Sequence, residues 1–129
     1  MSIQTVGSIA RIPVPSVDTS TPITTIASIM ARQNIGAVIV TKDYEILGIV
    51  TESDIVDRVA LGNVSDLVAQ DVMVSPVITI NYERTIQDAL KIMKDNNIRR
   101  LVVVKDKYIF GLVTERRLLI ANFVRRNKE

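Results

Sequence analysis

The chain holds no cysteine and no histidine in 129 residues. Their absence removes disulfides, thiolate and imidazole metal sites, and every catalytic triad that depends on a histidine base. No apolar run approaches the roughly 20 residues that a membrane-spanning helix needs, and the first residues lack the basic-then-apolar layout of a secretory leader. The expectation is a cytoplasmic protein with no membrane contact. Aromatics are scarce at three Tyr and two Phe, too few for the stacking platforms of a single-strand reader. No glycine-rich phosphate loop occurs, and only Asp and Glu are left as general bases, so the residues favour binding over catalysis.

What is present is an apolar fraction of 47% beside 23% charged residues, which suits a soluble globular domain with a sizeable core. The net charge of +2 is unevenly spread: residues 1–64 carry 4 Lys/Arg against 6 Asp/Glu, and residues 65–129 carry 12 against 8. The second half is the basic one.

The chain also repeats itself. Residues 13–55 and 76–118 align without a gap, and 15 of the 43 pairs are identical, among them Pro13 with Pro76, Met30 with Met93, Asn34 with Asn97, Gly48 with Gly111 and Thr51-Glu52 with Thr114-Glu115. A repeat of this length means two copies of one supersecondary unit, here divided as 1–62 and 63–129. Each copy reads as strand, helix, strand, strand, helix. The fold class expected is α/β (α+β), with two βαββα repeats packed about a pseudo-twofold.

Along the first copy, residues 7–17 are apolar but broken by Pro13 and Pro15, which predicts an extended lead-in and a short edge strand. Ser20, Thr21 and Pro22 are expected to cap a helix whose inner stripe is Ile23, Ile26, Ala27, Ile29 and Met30. Ala37 to Thr41 and Ile46 to Val50 form a hairpin around a four-residue charged connection. Thr51 opens a second helix running to Leu61, with Ile55, Val56, Val59 and Ala60 expected inward and Gly62 at its end. A short helix is expected over 66–70. The order then repeats, with an edge strand at 77–80, a helix at 85–96, a hairpin at 101–113 and a last helix at 115–126.

The two hairpins run into Gly48-Ile49-Val50-Thr51-Glu52-Ser53-Asp54 and Gly111-Leu112-Val113-Thr114-Glu115-Arg116-Arg117. At a strand-to-helix junction the first amides carry partial positive charge, so hydroxyls and a carboxylate placed there suit a sugar or phosphate. Asp54 is able to accept two hydroxyls at once, and Thr51 and Ser53 add hydroxyls of their own. The same Thr-x-x-Asp spacing is that of a capping box, in which the two side chains only close the helix end, as at Thr85 and Asp88.

Paired units of this kind, with Gly-Ile-Val-Thr-Glu-Ser-Asp and Gly-Leu-Val-Thr-Glu-Arg-Arg after a hairpin and Asn-Ile before it, resemble the cystathionine-β-synthase (CBS) domain family over residues 7–124. The resemblance implies a free-standing regulatory module, not an enzyme, that binds an adenine nucleotide or S-adenosylmethionine in clefts between its halves. That nucleotide is a regulatory ligand, with no other cofactor and no metal. In the first cleft Thr51, Ser53 and Asp54 would hold the ribose, with Ala37 near the phosphate. Ser75, Pro76, Val77, Ile98 and Arg99 would form the base slot. The second would use Thr114, Arg116 and Arg117, with Pro13, Val14, Ile35 and Gly36 as slot and Arg100 at the phosphate. Here the chain departs from the family pattern: Arg117 is donor-only and cannot accept ribose hydroxyls, though it can fork onto phosphate. The expectation is one ribose site and one that is empty, phosphate-preferring or differently loaded.

Two partners are implied besides the ligand. Such modules commonly pair as homodimers, and Leu118, Leu119, Ile120 and Phe123 offer apolar surface on the last helix; a regulated protein partner is also expected. The alternative function is nonspecific, salt-sensitive nucleic-acid binding through Arg116, Arg117, Arg125, Arg126 and Lys128, set against the ordinary reading of such a run as a solvated helix face. Arg99 and Arg100 carry the same pair of readings.

Overall fold

A computed structural model describes residues 4–62 and 64–127, with side chains through Val124. The chain forms two compact units, Pro15–Val77 and Met1–Val14 joined to Ile78–Glu129. Each holds one three-stranded sheet with its helices, giving a mixed α+β architecture of two repeats.

In the Pro15–Val77 unit, β1 (Ser16–Asp18) lies parallel to β2 (Ala37–Lys42), which lies antiparallel to β3 (Glu45–Thr51). The central strand β2 buries Ala37, Val38, Ile39 and Val40 on both faces, which is why it reads as an unbroken apolar run. Its hairpin turns through Asp43 and Tyr44, both at positive φ (51° and 67°), the handedness that matches strand twist. Helix α2 (Ile23–Gln33) places Ile23, Ile26 and Met30 on the sheet, and Asn34 ends it in the left-handed conformation at φ 50°. Helix α3 (Glu52–Leu61) follows β3 directly, and the short α4 (Ala69–Val72) adds Ala69 and Val72 to the core.

The other unit repeats this arrangement with β4 (Thr79–Asn81), α5 (Ile86–Asn96), β5 (Arg100–Lys105), β6 (Tyr108–Thr114) and α6 (Glu115–Asn127). Its core gathers Ile80, Ile86, Ala89, Met93, Leu101, Val103, Val113 and Leu118, together with Val6 from α1 (Val6–Ile9). The sheet bulge falls between Val40 and Thr41 in one copy and between Val103 and Val104 in the other, so the repeat extends to the irregularities.

What crosses the free edge of each hairpin was not legible in the sequence. Val74 exchanges two backbone hydrogen bonds with Ile49 of β3, at 3.1 and 2.9 Å, and Arg11 does the same with Leu112 of β6, at 2.8 and 3.0 Å. Each sheet edge is thus closed by the segment preceding the other repeat, and the compact units are cut at 14/15 and 77/78 rather than at the sequence repeat. Gly48 and Gly111 lie at these crossings. A Cβ on Gly48 would come within 2.5 Å of Met73 Sδ, and one on Gly111 within 2.6 Å of Ile12 Cγ2 and 2.7 Å of the Arg11 carbonyl oxygen.

Several local expectations are corrected. The lead-in is not extended throughout: Val6–Ile9 is a helical turn, held by the Val6 amide on Arg84 O and the Gly7 amide on Tyr82 O. Neither Ser20 nor Thr21 caps α2; Pro22 holds the N-cap position, and the Ser20 hydroxyl turns back to Asp18 Oδ2 at 2.8 Å. The edge strand expected at 77–80 is Thr79–Asn81, and the helix expected at 66–70 is Ala69–Val72, shifted because Asp71 closes its start by accepting the Val68 amide at 2.9 Å. On α3, Ile55 is half-buried but Val56, Val59 and Ala60 are exposed, and no residue of that helix is fully buried within the chain. On α6, Leu118 belongs to the core, whereas Leu119, Ile120 and Phe123 are exposed.

Thr85 and Asp88 form the cap expected for α5: Thr85 Oγ1 accepts the Asp88 amide at 3.1 Å and Asp88 Oδ2 accepts the Thr85 amide at 3.3 Å. The Arg84 guanidinium, 2.9 Å from the same oxygen, is the main cause holding the Asp88 carboxyl below the usual carboxylate range. A lowered folded value contributes stability above the unfolded pKa and loses it as pH falls through the folded one. The stability difference between the parent chain and Asp88→Asn, measured by urea melts across pH, is expected to be full at neutral pH and to shrink below about pH 4. Gly111→Ala is expected to cost about 1–3 kcal/mol in the same assay, because a backbone carbonyl must move; Gly48→Ala should cost less, since a flexible thioether can yield.

Candidate functional site

Both strand-to-helix junctions are built alike. Thr51 ends β3, pairs in register with Ala37 and supplies the N-cap of α3; Thr114 ends β6, pairs with Arg100 and opens α6. The first amide of each helix is anchored across the sheet, Glu52 N–H on Gly36 O at 3.0 Å and Glu115 N–H on Arg99 O at 2.9 Å. The junction geometry therefore comes from the backbone, and the side chains are free to differ.

At the first junction Asp54 Oδ2 accepts both the Thr51 amide, at 2.8 Å, and the Thr51 hydroxyl, at 2.9 Å. Thr51 Oγ1 also lies 3.0 Å from Ser53 Oγ. Asp54 thus closes the helix with one carboxylate oxygen, and among the described residues no donor occupies the other. Thr51 and Asp54 are half-buried and Ser53 is exposed, so the cluster faces solvent at one side. The Val74–Ile49 bridge pairs this segment with β3, and Ser75, Pro76 and Val77 follow it in the chain, with a cis bond between Ser75 and Pro76. Ala37, Thr51, Ser53, Asp54, Ser75, Pro76 and Val77 therefore share one compact unit, as do Ile35, which is buried, and Gly36. Ile98 and Arg99 belong to the other unit, where Ile98 packs on its core and Arg99 flanks the Thr114 junction.

At the second junction Thr114 Oγ1 accepts the Arg117 amide at 3.2 Å, and the reciprocal arm is missing because a guanidinium cannot accept. Pro13 and Val14 follow the Arg11–Leu112 bridge and so share this unit with Arg100, Thr114, Arg116 and Arg117. Arg99, Arg100, Thr114, Glu115 and Arg116, with Leu119 and Ile120, line a cavity of about 690 Å³. Arg125, Arg126 and Lys128 lie outside the residues whose side chains are described, so no basic surface is drawn through them.

The CBS domain family matches residues 6–61 and 68–123. The chain is a CBS-domain protein. It is 35% identical over 118 residues to an uncharacterised protein of Methanopyrus kandleri, an alignment covering 88% of this chain and 60% of that one. It spans 60%, 45% and 31% of the lengths of the first three curated relatives it matches. The fold is similar to the CBS domain pair of protein MJ0100 in complex with 5′-methylthioadenosine and S-adenosyl-L-methionine, with a TM-score of 0.83 at 24% identity, covering 96% of this chain and 99% of that one. It is also similar to a Pyrobaculum aerophilum CBS domain protein complexed with AMP, with a TM-score of 0.84 at 23% identity, covering 98% of this chain and all of that one.

One feature of the CBS repeats escaped the sequence reading. In the Pro15–Val77 unit a groove of about 320 Å³ opens between α2 and α3, lined by Ala27, Met30, Ala31, Asn34, Glu52 and Ile55 among others. The signal was present: Ala27 and Ala31, one turn apart, stand where the second repeat has Leu90 and Lys94. In that repeat Leu118 is fully buried and Gln87 Nε2 donates to Asn122 Oδ1 at 3.0 Å, joining the corresponding helices. Among the described residues no helix is long and apolar enough to cross a membrane, and no group of acidic side chains is arranged to hold a metal.

The contrast between the junctions is measurable. Arg117→Asp supplies the missing carboxylate at the third position of α6 and removes a cation from its positive end, so it is expected to stabilise the chain by about 0.5–1.5 kcal/mol in chemical denaturation.

Proposed function

We propose that this CBS pair is a regulatory module that binds an adenosine-containing ligand at the Thr51 junction and performs no catalysis. The observation that carries the proposal is the cluster at the start of α3, where Thr51 lies within hydrogen-bonding distance of both Ser53 and Asp54 and one Asp54 oxygen alone is engaged. One oxygen of Asp54 is engaged in the cap; the other is placed to accept a ribose hydroxyl, and the hydroxyls of Thr51 and Ser53 suit the sugar or its phosphate. The ligands named for the two similar structures, AMP in one and methylthioadenosine with S-adenosylmethionine in the other, share only adenosine. That common part is what the proposed site recognises.

Regulation by such a module requires that the ligand bind one conformational state better than another, and that this difference reach a partner. The exposed Leu119, Ile120 and Phe123 on α6 are the surface proposed for a homodimer, with a regulated protein as the further partner. Nucleic-acid binding has no supporting observation of its own.

The decisive variant is Asp54→Glu. Glutamate is a preferred partner in a capping box, so the helix end and the melting temperature are expected to be retained. The carboxylate is displaced by one methylene, and calorimetric affinity for whichever of AMP, ATP or S-adenosylmethionine binds the parent chain is expected to fall about tenfold or more. Failure of all three to bind, or unchanged affinity in Asp54→Glu, would show that Asp54 is a helix cap and nothing else.

A further inference from the structure

The 63-residue repeat permits a position-by-position comparison of the two junctions. Gly36, Ala37, Ser53 and Asp54 of the first become Arg99, Arg100, Arg116 and Arg117 in the second. All four replacements introduce a guanidinium, and the backbone brings them together: Arg100 pairs in register with Thr114, Arg99 O accepts the Glu115 amide, and Arg116 and Arg117 occupy the first turn of α6. Among the described residues the ion pairs join Arg84 to Asp88 and Lys91 to Asp95, and none of these four arginines takes part in one. Arg99, Arg100 and Arg116 instead line a common cavity of about 690 Å³ that contains a single carboxylate, Glu115.

Three guanidiniums around one concave space raise the local positive potential, a repulsion that a multiply charged anion relieves. Guanidinium forks match phosphate oxygens two at a time, and a chain of phosphates offers several such edges at once. Position 117, the counterpart of Asp54, is donor-only and cannot accept from a ribose diol. We infer that the Thr114 junction is a receptor for an oligophosphate chain, recognised through its phosphates and without a nucleoside requirement. This goes beyond the adenosine site of the first repeat and does not depend on it. The concave lining favours a compact phosphate chain over an extended polynucleotide, for which the cavity presents no aromatic surface.

The probe is inorganic tripolyphosphate, titrated calorimetrically into the chain at low ionic strength, with adenosine, ATP and a short single-stranded oligonucleotide as competitors. Tripolyphosphate is expected to bind with about one per chain and to weaken as salt rises. Arg116→Gln and Arg99→Gln, both at exposed positions, are each expected to reduce affinity about tenfold or more while the melting temperature holds. Asp54→Glu is expected to leave tripolyphosphate binding unchanged, which separates this site from the adenosine site. Competition by ATP but not adenosine identifies the phosphate tail of a nucleotide as one source of the ligand, and binding that ATP does not displace points to free oligophosphate; either supports the inference. No tripolyphosphate binding, binding indifferent to both arginine variants, displacement by adenosine, or binding of the oligonucleotide alone would each overturn it.

Discussion

Each hairpin of this protein depends on a close approach between a bare strand backbone and the segment that crosses it. At Gly48 and Gly111 a single methyl group would collide with Met73 or with Ile12 and the Arg11 carbonyl, so glycine is what lets each crossing segment reach hydrogen-bonding distance of the hairpin edge. Those two bridges pair the edges of β3 and β6 with the segments that lead into Ser75–Val77 and Pro13–Val14. A strand edge left open would be a template for pairing with another chain.

On a common backbone the two junctions differ in side-chain charge and in how the helix start is capped. The amide of Glu52 or Glu115 finds a carbonyl across the sheet at the same place, and the threonine caps the same helix end. Because the scaffold does not depend on the side chains at the second and third helical positions, Ser53 and Asp54 in one copy and Arg116 and Arg117 in the other are compatible with one fold. Hydroxyls with a carboxylate in one copy and guanidiniums in the other thus present different hydrogen-bonding chemistry on one backbone.

The helices show a second asymmetry with a packing origin. Small residues at Ala27 and Ala31 leave a groove beside α3, whereas Leu90 and Lys94 take those positions in the other repeat, where Leu118 is fully buried. The groove side keeps Val56 and Val59 exposed, and α6 exposes Leu119, Ile120 and Phe123. Contiguous apolar residues of this kind on helix faces are where association surfaces are sought.

By itself the sequence determined the elements and their chemistry. β-branched runs placed the hairpins within a residue or two, the glycine after Leu61 marked a helix end, and the offset of 63 identified Asp54 and Arg117 as counterparts. These features are local, fixed by the preferences of a few neighbouring residues. Tertiary structure alone decided which segment closes which sheet edge, since backbone hydrogen bonds are the same for every residue and leave no trace in composition. It also decided that Val56 and Val59 face outward while Leu118 is buried, because periodicity marks an apolar face without saying what covers it. And only the folded chain showed that Arg99, Arg100 and Arg116, from two distant segments, line one cavity, for they are brought together through strand register and not through sequence.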